Sequence, residues 1–95
     1  MSDTQPKSLA LAESTHIAAV ADLQVALANL LESADAAVEV DCSAVKSIDA
    51  AVLQCLLFNR RVAAASGKRL ALVQASEDFR RIAAYVGLVE ELLAA

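Results

Sequence analysis

The chain has 95 residues, 12 of them acidic and 8 basic, for a formal net charge of −4. That length suits one domain with a modest core, and the negative balance argues against general nucleic-acid binding, which needs surplus cations to meet phosphates. Apolar residues make up 58% of the chain, much of it alanine, yet no run reaches the roughly 18 expected of a membrane span.

The first residues, MSDTQPKS, lack the basic and then apolar layout of a secretion signal. The expected compartment is therefore the cytoplasm, and the expected organisation is a single domain over residues 1–95. Residues 1–7 are polar, hold the only proline and read as a flexible tail or lead-in. Ser8 to Ala12 predicts a short first strand through Leu9 and Leu11. Ile17, Val20, Leu23, Leu27, Leu30 and Leu31 then recur at helical spacing. They predict a helix from Ile17 to Leu31, with Ser14 or Thr15 as its N-cap. His16 stands at the start of that helix as a solvated or capping residue.

Glu32 to Ala36 connects to a strand over Ala37 to Asp41, where Val38, Val40 and Cys42 alternate with Glu39 and Asp41. A loop from Ser43 to Ile48 follows. Asp49 precedes an apolar, helix-forming run from Ala50 to Ser66. An aspartate there can accept from the unpaired N–H groups of the first turn, and its charge suits the positive end of the helix dipole. Gly67 fits the left-handed stop of that helix, and Lys68 and Arg69 suit its negative end. Arg69 to Gln74 is the next strand, and strand, helix, strand in this order imply a parallel pair. Ser76 can cap a further helix whose apolar face is Phe79, Ile82 and Val86. Gly87 ends it and Leu88 folds back on it. Leu92 and Leu93 pack as a short terminal helix or strand.

Asp41, Asp49, Ala50, Ala51, Val52 and Leu53, with Gly67 and the stretch from Phe79-Arg80-Arg81-Ile82 to Gly87-Leu88, carry a resemblance to the STAS domain family. That module is shared by anti-sigma factor antagonists and sulfate transporters. The resemblance runs from Val38 to Leu93. It implies an α/β fold, with a small mixed sheet of four to five strands and helices packed mainly on one face. It also implies a second short strand or turn near Glu13 to His16. Antagonists switched by phosphorylation carry Ser or Thr just after the equivalent of Asp49. Ala50 and Ala51 have no oxygen to accept a phosphoryl group. Val52 replaces the family glycine, and its bulk would hinder close approach of a partner backbone.

Chemistry is sparse along the chain. There is no glycine-rich phosphate loop, no Gly-x-Ser-x-Gly and no His-Glu-x-x-His. A Ser–His–acid triad would have to recruit His16, and nothing in the sequence places it near a serine. Asp41 and Asp49 have simpler duties than acid–base work, at a strand end and a helix cap. Cys42 and Cys55 read as reduced thiols acting as small hydrophobes, and metal-ligand spacing is absent. The N–H groups of Ala50, Ala51 and Val52 favour anions, but the Asp49 carboxylate already occupies that field. No enzyme activity, cofactor or metal is expected.

A protein interface is the favoured reading. Plotted at 100° per residue, Ala50, Gln54, Phe58 and Arg61 share one side of the helix, with Ala51 at its edge. Leu53, Leu56 and Leu57 face the sheet, and Arg60 falls awkwardly near the core. With Ser47 and Asp49, that side forms the candidate partner-binding surface. Ser43 and Ser47 are the hydroxyls near the helix mouth and the remaining candidates for phosphorylation, although holding the loop is their simpler role. The resemblance implies three partner classes: a kinase- or phosphatase-type regulator of an anti-sigma or chemotaxis pathway, the ATPase of a lipid-transport ABC system, or other STAS domains, including a second copy.

Overall fold

The structure, a computed structural model, describes residues 7–93. Its elements in order are β1 (Lys7–Ala10), β2 (Ser14–Thr15), a 3₁₀ turn (Ile17–Ala19), α1 (Val20–Ser33), β3 (Ala37–Asp41) and β4 (Ser47–Ile48). They continue with α2 (Ala50–Ala65), β5 (Arg69–Val73), α3 (Glu77–Tyr85) and α4 (Val89–Leu93). The α/β class is as expected. Five strands divide between a three-stranded sheet in the order β1-β3-β5 and a two-stranded sheet of β2 and β4. Among the described residues every pairing in both is parallel, so the expected single mixed sheet is corrected to two parallel ones. The expected tail lies outside the described residues except for Lys7, which opens β1 against Val38.

β3 is central because its alternation gives it one wholly apolar side. Val38 and Val40 are fully buried, while Glu39 and Asp41 on the other side are half-covered. The register puts Leu9 and Leu72 on either side of Val40, and Leu70 beside Val38. This apolar row is what the helices cover. α1 packs on β3 and α2, and α2 packs on β5. Leu23, Leu27 and Leu31 of α1 are buried against Leu53, Leu56 and Leu57 of α2 in one core cluster.

Several expectations are corrected by the fold. The first helix begins at Val20 rather than Ile17, and neither Ser14 nor Thr15 caps it. Ile17 belongs to the 3₁₀ turn, where three residues per turn break the α-helical register, and it is 67% exposed instead of joining the leucine stripe. The Lys68 ammonium reaches the carbonyl of Leu31 at the end of α1, and only its backbone N–H serves the end of α2. Val52 is fully buried, so its bulk fills the core and cannot obstruct a partner at the surface. Val86 is only partly covered, at 37% exposure.

Other local signals are realised. Gly67 and Gly87 take φ of +73° and +77° after α2 and α3. Lys68 and Leu88 then donate back to Ala63 and Ala83, as left-handed helix stops require. The Ser76 hydroxyl accepts from Phe79 N at 3.0 Å and donates to Val45 O at 2.6 Å, so it caps α3 and ties it to the β3–β4 loop. The terminal segment forms the short helix α4, which buries Leu92. Half-buried Arg60 reaches its carbonyl end, donating to Glu91 O. Among the described residues no helix is long and apolar enough to cross a membrane.

Candidate functional site

The mouth of α2 is built by the small β2–β4 ladder. Ser14 pairs with Ser47 and Thr15 with Ile48. Lys46 N and Ser47 N both donate to Glu13 O, and Asp49 N donates to Thr15 O. The ladder brings His16 alongside the far end of β4. Asp49 holds the N-cap position of α2 with extended backbone, φ −84° and ψ 155°, but its side chain makes no cap bond. The expectation that it caps α2 is therefore corrected. One carboxylate oxygen takes His16 Nδ1 at 2.8 Å, and the other takes the N–H of Ile17 at 2.9 Å. Ile17 N is itself an unpaired donor at the start of a helical turn, so Asp49 caps the 3₁₀ turn across space. The His16 bond, followed by the Ile17 N–H, holds the Asp49 carboxyl below the usual carboxylate range.

His16 also meets a serine, which the sequence did not indicate. Its Nε2 lies 3.3 Å from Ser47 Oγ. Ser47, His16 and Asp49 thus form a chain of hydrogen bonds at the surface, with His16 and Asp49 side chains 46% and 39% exposed. The expected role of the Ser47 hydroxyl in holding the loop is corrected, since it meets the His16 ring instead. The Asp41 side chain braces the loop, accepting from Ser43 N at 2.8 Å, an aspartate turn that closes on the residue two positions later. Bonds from the Ser43 hydroxyl and N–H hold the Asp41 carboxyl below its ordinary range.

The two thiols are buried and free. Burial, aided by the Asp41 charge, pushes Cys42 up to about 12, and burial also raises Cys55. A thiol held protonated is a poor nucleophile, which fits the reading of both as small core residues. Among the described residues no group of His, Cys, Asp and Glu is placed to hold a metal ion.

From the mouth, the outer face of α2 runs along Ala50, half-covered Ala51, Gln54, Phe58 and Arg61. Phe58 is 56% exposed. It also borders an open groove of about 390 Å³ between α1 and α2, with Ala28, Leu31 and Val62 along its walls. Asn59 and Gln24 lie at the groove's base. Asn59 is 1% exposed, and its amide donates to Gln24 Oε1 and Cys55 O, each at 2.8 Å. Sequence reading missed this link. The available signal was an amide on the apolar side of a helix, next to Leu56 and Ala63.

The structure brings Ser47 and Asp49 together with His16. It sets Ala50, Gln54, Phe58 and Arg61 along one exposed ridge, and it leaves Ser43 on the far side of the loop against Asp41. The family model described as "Mlab, STAS domain" matches residues 2–94. The solved structure of the anti-sigma factor antagonist SpoIIAA in its unphosphorylated form is similar to the chain with a TM-score of 0.74 at 14% identity. The match covers 99% of this chain and 84% of that one, a likeness of fold. A comparison with curated proteins finds no match.

Proposed function

The chain belongs to the STAS domain family, and on that footing we propose that it is a non-enzymatic protein-interaction module of bacterial signalling, anti-sigma factor antagonist-like or chemotaxis-associated. The observation that carries this reading is the exposed ridge of α2. Phe58 stands 56% exposed in line with Arg61, and an aromatic with an arginine is a pairing enriched at interface cores. The partner, a kinase- or phosphatase-type regulator, docks over Ser47, Asp49, Ala50, Ala51, Gln54, Phe58 and Arg61. Alanine at positions 50 and 51 accepts no phosphoryl group, so docking is constitutive or is regulated elsewhere.

A second reading is favoured by one observation: the matching family model is described as an Mlab STAS domain rather than as an antagonist. In that reading the chain is an accessory subunit of a lipid-transport ABC system and docks on its ATPase.

One experiment addresses both. Tagged chain captures partners from native cell extract, and wild type is compared with Phe58→Glu and Ala51→Glu. Circular dichroism verifies that both variants keep the fold. The expected result is one protein captured by wild type and lost from both variants, its identity deciding between a signalling regulator and a transport ATPase. Capture of the same proteins by all three would overturn the assignment of this face.

A further inference from the structure

We infer that Ser47 is an activated nucleophile that takes an acyl group from an activated carbonyl compound, such as a thioester or reactive ester. The inference rests on the connectivity of three side chains. A carboxylate can only accept hydrogen bonds, so the 2.8 Å contact between Asp49 Oδ1 and His16 Nδ1 places a proton on Nδ1. In the neutral imidazole, Nε2 is then the acceptor, and it faces Ser47 Oγ at 3.3 Å. Carboxylate on one ring nitrogen and hydroxyl on the other is the arrangement in which an imidazole draws the proton from a serine.

The fold holds this arrangement from both sides. The ladder that pairs Ser14 with Ser47 sets the spacing between His16 and β4. The second Asp49 oxygen is anchored by Ile17 N at 2.9 Å. A carboxylate pinned in this way cannot swing off the ring without breaking two bonds.

The chemistry of the trio sets the class of donor, because a serine whose proton is drawn by an imidazole attacks a carbonyl carbon. The charges nearby do not oppose an uncharged donor: Glu13 is paired with Lys46 at 3.9 Å, and the Asp49 carboxylate is engaged by His16 and Ile17. In the step, Ser47 Oγ attacks the carbonyl carbon while His16 Nε2 receives the hydroxyl proton. The bond from that carbon to the leaving sulfur or oxygen then breaks, the leaving group departs with the electron pair, and an ester remains on Ser47. Ser47 is half-buried beside His16 and Asp49, whose side chains are 46% and 39% exposed, so a donor approaches from the solvent side. The step is acceptance of one group, which sits beside the proposed binding role rather than replacing it. In this scheme His16 is the base and Asp49 the positioning residue.

The test uses the full chain with p-nitrophenyl acetate as probe. Trypsin cleaves after Lys46 and Arg60, so Ser47 falls in the peptide Ser47–Arg60 and Ser43 in the preceding one. The expected result is acetyl on Ser47 with a stoichiometric burst of nitrophenolate and no acetyl on Ser43. Acetylation should slow at least about tenfold in His16→Gln, which keeps a hydrogen-bonding side chain but no base. It should slow similarly in wild type unfolded in urea, a comparison that needs no variant to fold. An unmodified Ser47 in the native chain overturns the inference. So does an equal rate in the unfolded chain or in folded His16→Gln, or a nitrophenolate burst that survives Ser47→Ala.

Discussion

Asp49 joins two segments that are far apart in the chain. Its carboxylate satisfies the 3₁₀ turn through Ile17 N and holds the His16 ring, while its backbone carbonyl receives Val52 N and Leu53 N at the start of α2. The carboxyl is held below its usual range by the His16 bond first and the Ile17 N–H second. A carboxylate with a depressed folded-state pKa adds stability above its unfolded value, about 3.9, and loses it as pH falls through the folded one. Asp49→Asn should therefore lower the urea midpoint at neutral pH. The gap to wild type should close on acidification below about pH 4, because protonation then removes the same charge from wild type. Unfolding curves across that range check this, and a gap independent of pH would show that the charge is not what stabilises the junction.

The helices α1 and α2 are registered by a polar bond as well as by leucines. Asn59 is buried on α2 and donates to Gln24 on α1 and to the Cys55 carbonyl. Substitution by alanine strips the 2.8 Å amide donor from Gln24 Oε1 and leaves it the weaker Cys55 thiol at 3.5 Å. Leaving a buried polar group without its partner costs about 1–3 kcal/mol. Asn59→Ala should lose that much in urea unfolding. Gln24→Ala should lose a similar amount, because it takes the Gln24 Nε2 donor, at 3.4 Å, from Oδ1 of the buried Asn59. A negligible loss in Gln24→Ala would place the stabilisation in the Cys55 contact alone. The interhelical bond lies beneath the Phe58 ridge, so a change in helix spacing would also reach the proposed docking face.

At the scale of the whole molecule, one core cluster joins all the layers. Phe79 is its largest fully buried side chain. It connects α3, which Ser76 ties to the β3–β4 loop, to the same core that the sheet and α2 share. Phe79→Ala should cost about 3–5 kcal/mol, a large part of the roughly 5–15 kcal/mol typical of a domain. Thermal unfolding should show a much lower, still cooperative midpoint. If the cost were small, α3 would be peripheral to folding, and the core would rest on α1, α2 and the sheet alone.

Much of the fold was legible in the sequence because the signals are local. Val38 and Val40 alternate within one strand, Leu53, Leu56 and Leu57 share one side of a helix, and Gly67, Gly87 and Ser76 mark helix ends through backbone geometry within a turn. The alanines at positions 50 and 51, and the exposed ridge from Gln54 to Arg61, follow from the same periodicity. The tertiary structure decided which partner each polar side chain takes. Asp49 had donors available in its own helix but meets His16 and Ile17, Lys68 finds the end of α1, and Ser47 finds the imidazole. These choices depend on the β2–β4 register and on how the helices settle. A side chain takes whichever donor or acceptor the assembled core places within about 3 Å, and spacing along the chain carries no information about that.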